Sequence, residues 1–200
     1  MKTHRIAFQW EGDKVNDKFE LAFAKKNADS RKQWVNDYIE GDYVDHSKGK
    51  VKYSEFLDKE YVQFAIADNA RSIRNIMDGL KPGQRKILYC CFKKNLKKEI
   101  KVAQLGGYVA EHAAYHHGEQ SLEQTIVGMA QEFVGANNVN LLFPSGQFGT
   151  RLQGGDDAAS ARYIFTRLSD ITRNIFVPHD DEVLSYLDPS STYLCCQWFL

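Results

Sequence analysis

Arg162 and Tyr163, in the run Ala161-Arg162-Tyr163-Ile164-Phe165, are the pair of side chains best suited to covalent chemistry in this sequence. A phenol has a pKa of about 10, so it attacks a phosphodiester only when it is deprotonated or held by a hydrogen-bond partner. A tyrosyl phosphate ester is also easier to displace than a sugar ester. A free 3′ hydroxyl can therefore reopen it, and strand breakage becomes reversible without consuming a nucleotide. An adjacent arginine adds a permanent planar charge able to grip a pentavalent phosphate through two N–H groups. In a regular strand neighbours point to opposite faces, so the two share a phosphate only where the chain is irregular. The same residue types also describe a buried aromatic beside a surface arginine, and the pair alone does not choose between these.

A second cluster, His116-His117-Gly118-Glu119, stands where a helix is expected to begin. A histidine with a pKa of about 6.5 can donate to a phosphate or accept a phenolic proton, and a helix N-terminus favours anions. A metal site and a capped turn are the competing readings. The spacing lacks the i, i+4 histidines of HExxH, and no second ligand cluster follows. The acidic pairs Asp156-Asp157 and Asp180-Asp181 do not follow an apolar strand in a DxD arrangement, and are expected to be solvated loop charges. No metal ligand is assigned.

The elements that must hold these residues are legible from periodicity. His4–Trp10 alternates like a short edge strand, and 12–18 reads as a turn. Apolar spacing predicts short helices over 19–26 and 28–39, a polar loop over 41–52, and a helix N-capped by Ser54 running to about Arg71. Pro82 suits a first helical position, with Ile87, Leu88, Cys91 and Phe92 following at helical spacing and the helix ending near Asn95. Helices over 102–115 and 119–134 follow, separated by the histidine-glycine break. Leu141-Leu142-Phe143-Pro144 then leads into a segment punctuated by Gly146, Gly149 and Gly154-Gly155. Three helices followed by a glycine-rich β ribbon form a winged-helix order. The predicted fold class is α+β, mainly helical, with a helix-turn-helix and β wing preceded by a short connective α/β segment.

Composition excludes collagen, disorder and coiled coil: the chain has 200 residues, 43% hydrophobic and 26% charged. No apolar run approaches the roughly 18 residues of a membrane span, and residues 1–10 are too polar for a signal-peptide core. The chain is therefore expected to be intracellular, without membrane contact. Cys90-Cys91 and Cys195-Cys196 match neither a disulfide framework nor a zinc site and read as free thiols. The net charge is zero, but its distribution is uneven. Between Arg71 and Lys101 ten basic residues face only Asp78 and Glu99. Such a block attracts a polyanion or forms a solvated lysine-rich helix face, and charge alone favours the latter without excluding the former.

Five blocks in order give the sequence a family resemblance. They are Arg71-Ser72-Ile73 with Asp78-Gly79-Leu80-Lys81-Pro82-Gly83-Gln84-Arg85-Lys86, Lys101–Leu105, Tyr115-His116-His117-Gly118-Glu119, Gly146-Gln147-Phe148-Gly149-Thr150-Arg151, and Ala161–Ile164. The chain resembles part of a eukaryotic-type DNA topoisomerase II, most specifically over 70–178. Over 2–69 the weaker likeness is to the segment leaving the metal-binding toprim domain. The resemblance implies a connecting segment over 1–69, a winged-helix DNA-cleavage domain over 70–187 and a divergent tail over 188–200. It implies that Tyr163 is the strand-cleaving nucleophile joined to a 5′ phosphate, that Arg162 steadies the scissile phosphate, and that His117 polarises a phosphate. Arg71, Lys81, Arg85 and Lys86 would contact DNA, and Asp78 would orient the basic loop. It further implies double-stranded DNA as partner, a homodimer, magnesium and ATP in the full-length enzyme, and nuclear residence.

Arg74 departs from the family's usual proline, and Asp156 from its usual lysine. The ATPase domain, the acidic metal triad, the body of toprim, the tower and the exit gate lie outside the sequence, so neither cofactor site is expected in it. On this reading the chain is a fragment that is inactive alone. A non-catalytic winged-helix DNA-binding module, and a protein-interaction fragment without DNA affinity, are the alternatives from other classes.

Overall fold

A computed structural model describes residues 5–115, 117–186 and 196–197. The chain divides into two compact units, Met1–Ser72 and Ile73–Leu200.

In the first unit, β1 (Ala7–Gln9) pairs in parallel with β2 (Lys50–Lys52), Phe8 opposite Val51. The expected turn over 12–18 is much shorter, because only Gly12, at φ 77°, needs the left-handed region. The amides of Val15 and Asn16 already bond to Gly12 and Asp13, and α1 spans Lys14–Phe23. Ala24 is extended, ending the helix sooner than expected, and α2 covers Ala28–Asn36. The last three residues of the expected loop form β2. In Lys-Val-Lys only Val51 is apolar, and it is buried against the rest of the unit. Ser54 does not cap the next helix. Lys52 precedes α3 (Tyr53–Phe56), and the Ser54 amide instead donates to Glu11 Oε2 at 3.1 Å. A π-helical segment, Leu57–Tyr61, joins α3 to α4 (Val62–Ser72). Rings of Phe8, Trp10, Phe19, Tyr53 and Phe56 meet in stacked, tilted or edge-on pairs with centroids 5.1–6.4 Å apart. Such contacts order a small unit that has few aliphatic core residues.

In the second unit, α5 (Pro82–Lys93), α6 (Val102–His112) and α7 (Glu119–Ala130) pack around Ile87, Leu88, Leu105, Val109, Leu122 and Ile126, all fully buried. Burying each such side chain contributes about 1.5–3 kcal/mol. Helix α6 ends three residues before the expected Tyr115, since Ala114 takes φ 44°. Helix α7 ends four residues before Val134 because Gln131 is extended, and Asn137 Nδ2 caps the carbonyls of Gly128 and Gln131 at 2.8 Å each.

β3 (Ile100–Lys101), β4 (Leu142–Ser145) and β5 (Phe165–Leu168) form an antiparallel sheet in the order β3-β5-β4, with Leu142 opposite Leu168 and Lys101 opposite Phe165. The fold is the expected α+β winged helix. Thr166 and Thr172, both buried, satisfy their hydroxyls on the Phe143 and Leu141 carbonyls. After α8 (Thr172–Ile175), β6 (Ser185–Tyr186) pairs with β7 (Cys196–Gln197), which lies beside α5. The rest of the expected divergent tail, Cys195 included, falls outside the described residues. Cys90 and Cys91 are buried, and burial pushes the Cys91 thiol far above its usual range. It is therefore inert as a nucleophile.

Candidate functional site

Tyr163 lies at the end of the β4–β5 loop, residues 146–164, and that loop is held by contacts that need particular residues. At Gly149, φ is 96° and a Cβ would meet the Gly155 oxygen at 2.5 Å. At Gly155, φ is 91° and a Cβ would collide with the Gln131 side chain. Only glycine at both positions lets the two limbs of the wing approach each other and α7. Asp157 closes the loop by accepting the Thr150 amide at 2.7 Å and its hydroxyl at 2.9 Å. Asp157 is an exposed loop charge, as expected, and it also acts as a clamp. Asp181, read the same way, takes Arg173 through two bonds of 3.1 and 2.6 Å.

Hydrogen bonds from Thr150 hold the Asp157 carboxyl below its usual range. Its pKa in the folded chain lies below the unfolded value of about 3.9, so the clamp's stabilisation is fully present above that pH. Stabilisation is lost as pH falls through the lower folded value. We expect the protection factor of the Thr150 amide, its exchange rate relative to an unfolded amide at the same pH, to fall below pH of about 4 before the helical core responds, and Asp157→Asn to remove that pH dependence. Hydrogen exchange monitored by NMR checks both.

The turn bearing Tyr163 is irregular, with the Tyr163 amide bonded to the Ser160 carbonyl at 2.8 Å. Ala161 and Ile164 are buried on either side, while Arg162 is exposed and Tyr163 is 72% exposed. The geometric condition set by strand alternation is thereby met, and the buried-aromatic alternative is excluded. The first free N–H groups of α6 anchor this turn. Val102 and Ala103 donate to the Ile164 and Ala161 carbonyls at 3.0 and 3.1 Å. Such donors have no partner inside their own helix, so they fix the turn while satisfying the helix end.

Asp78 organises the loop leading into α5. Its side chain is fully buried, accepts the Leu80 amide at 2.9 Å and pairs with Arg85 Nε at 2.7 Å. Gln84 reaches back to the Lys81 amide at 3.0 Å, one half of a capping box, while the Lys81 residue itself is exposed. Arg85 and Lys86, which the resemblance places among the DNA contacts, are not surface side chains. Both are buried, and the Lys86 ammonium donates to the Ala114 carbonyl at 3.0 Å. The first turns of α5 are covered nearly all round, so their charges brace the loop. Arg71 belongs to the other unit, where it is exposed and ion-paired with Asp68 at 2.5 Å. Arg74 spans its loop, with Nη1 3.0 Å from both the Gly79 carbonyl and Gln84 Oε1. Arg74→Ala should therefore destabilise the second unit by about 0.5–1 kcal/mol, read from denaturant midpoints.

His117 is exposed just before α7, its ring edge-on to Tyr115 at 5.5 Å, and Gly118 at φ 88° turns the chain into the helix. His116 lies outside the described residues. An open cleft of about 620 Å³ lies between α7, at Gln120 and Gln124, and the wing at Ala158 and Ser160, with Gln131 and Gly155 also in its lining. Among the described residues no group of three His, Cys, Asp or Glu is placed to hold a metal ion. None of the described helices is long and apolar enough to cross a membrane. Gln131, Thr150 and Asp157 were missed by sequence reasoning, and only the glycine pair hinted that something packs closely there.

Comparison with known proteins yields consistent matches. Residues 71–191 match the family of DNA gyrase/topoisomerase IV A subunits, and residues 1–69 the C-terminal associated domain of TOPRIM. DNA topoisomerase 2 of Plasmodium falciparum is 53% identical over 100% of this chain and 14% of its own length. DNA topoisomerase 2 of Saccharomyces cerevisiae is 55% identical over 92% of this chain and 13% of its own. The crystal structure of the Plasmodium falciparum topoisomerase II DNA-binding, cleavage and re-ligation domain superimposes with a TM-score of 0.76 at 53% identity, covering 98% of this chain and 27% of that one. The chain thus spans about an eighth of the length of the curated relatives it matches.

Proposed function

Because this chain belongs to the DNA gyrase/topoisomerase IV family, in its eukaryotic DNA topoisomerase II form, we propose that it is the DNA cleavage-and-reunion segment of an ATP-dependent type II DNA topoisomerase. Residues 1–69 are assigned to the segment leaving toprim, 70–187 to the DNA-cleavage domain and 188–200 to a tail. The observation that carries the reading is the placement of Tyr163 beside Arg162 on an exposed turn anchored to the start of α6.

In the proposed reaction Tyr163 Oη attacks the scissile phosphorus. The phenol gives up its proton, the bond from phosphorus to the 3′ oxygen breaks, that oxygen takes up a proton and leaves as a hydroxyl, and the 5′ phosphate is left esterified to the phenol oxygen. Reunion is the reverse, which conserves the ester and needs no further reagent. Arg162 offers its guanidinium to the charge that builds on the pentavalent phosphate. His117, an exposed imidazole beside a helix N-terminus, polarises a phosphate. Lys81 and Arg71 contact the backbone of double-stranded DNA. Asp78, Arg85 and Lys86 shape the loop that presents Lys81. Magnesium and ATP belong to other parts of the complete homodimeric enzyme, and no step here runs through them. A eukaryotic enzyme of this class acts in the nucleus.

The test is completion of the enzyme. Inserted in place of its counterpart in the yeast relative, the chain should give a denaturation-trapped protein–DNA adduct on a duplex, while the 200 residues alone relax no DNA. Salt-dependent duplex binding without any adduct would identify a non-catalytic winged-helix module, and a flat titration at low salt a protein-interaction fragment.

A further inference from the structure

Gln131, the residue that ends α7, hydrogen-bonds to both limbs of the wing. Gln131 Nε2 lies 2.9 Å from the Phe148 carbonyl and 3.2 Å from the Gly155 carbonyl, one on each limb of the loop. Both neighbours are acceptors, so only the NH₂ end of the amide can face them. The Gln131 backbone is fixed as well, its amide donating to Val127 and its carbonyl accepting from Asn137. The residue therefore sits rigidly at the end of the helix that His117 and Gly118 begin. Within the wing, the Gly155 amide bonds to Thr150, the Ala159 amide to the Gln147 carbonyl, and the Tyr163 amide to Ser160. The chain of contacts runs unbroken from the Gln131 amide to the Tyr163 turn.

We propose that Gln131 is a positioning residue, its amide latching both limbs of the wing onto α7 and so fixing Tyr163 relative to the helix that docks against the duplex. The proposal rests on the cleavage reading above. Gln131 acts through the Phe148 and Gly155 carbonyls. Without the latch the wing keeps its Asp157 clamp, its buried Phe148 and Ile164 and the α6 bonds to the Tyr163 turn, but the Phe148 and Gly155 limbs lose their tether to the end of α7 and the turn is held from one side only. The phenol then meets the phosphorus out of line while the DNA surface stays intact.

The experiment uses the completed enzyme, first showing that the parent forms an adduct that Tyr163→Phe abolishes. Gln131→Met has the same length without donors, and Gln131→Glu the same shape with a carboxylate facing two carbonyl oxygens. Single-turnover cleavage and religation of a duplex should both fall about 10- to 100-fold in Gln131→Met, with duplex Kd within about twofold and cooperative melting retained. Gln131→Glu should fall at least as far, and if it does not fold, Gln131→Met decides. Cleavage within twofold of the parent in Gln131→Met would overturn the proposal. So would a matched loss of cleavage and DNA affinity, or loss of cooperative melting, because either makes the amide a general stability element. A parent without a Tyr163-dependent adduct would overturn the cleavage reading, and this proposal with it.

Discussion

Replacing Tyr163 by phenylalanine in the completed enzyme should lower covalent adduct formation by about 10⁴-fold or more, with duplex binding and melting unchanged. Size follows from chemistry: the substitution deletes the one oxygen that forms the ester, and no neighbouring donor can replace a missing nucleophile. Selectivity follows from position. The ring is 72% exposed on a turn whose fixed points are the buried Ala161 and Ile164 and the amides of α6. Removing a surface hydroxyl from such a place changes stability by less than about 0.5 kcal/mol. Adduct yield on a labelled duplex, read after denaturation, separates the two effects. An adduct that survives the substitution would remove Tyr163 from the reaction.

Asp78→Ala should be the most damaging single change to the fold of the second unit outside its apolar core, at about 3 kcal/mol. The side chain is wholly buried and serves two donors, the Leu80 amide and the Arg85 guanidinium. Alanine removes both bonds and leaves a buried guanidinium without this carboxylate. For a chain of this size the melting temperature should drop by about 6–12 °C. Asp78→Asn should be milder, since the amide oxygen still accepts from Leu80 although its NH₂ repels Arg85. Thermal melts of the three proteins check the order. A change below about 1 kcal/mol for Asp78→Ala would mean that the loop finds another way to satisfy Arg85, and that Asp78 does not organise it.

Much of the second unit was legible because short-range signals agreed. Pro82 at a first helical turn, the apolar spacing from Ile87 to Phe92, and Gly118 before Glu119 each marked a helix start that the structure keeps. The five ordered blocks identified the family, where charge counting alone favoured a solvated face over a polyanion site. Charge counting failed at Arg85 and Lys86, which precede Ile87 and Leu88 on a helix covered nearly all round. A cation on a fully enclosed turn has the same letter as one on a surface.

β2 was invisible for a different reason. Its parallel partner lies 43 residues away, and Lys-Val-Lys carries no strand pattern of its own. In the wing, Asp157 and Gln131 bond to backbone amides and carbonyls, so nothing in a partner's residue type announces them. What the sequence did record was the pair of glycines those contacts require. Whether Tyr163 was buried could not be read from its apolar neighbours, since Ala161 and Ile164 are buried on both sides of an exposed ring.

The most direct test of the account is to digest the trapped adduct and locate the nucleotide by mass spectrometry. We predict a single modified peptide with a phosphodiester on Tyr163 Oη, carrying the nucleotide at the 5′ end of the broken strand. Attachment through the 3′ end, or to Tyr115, Ser160 or any other side chain, would contradict it.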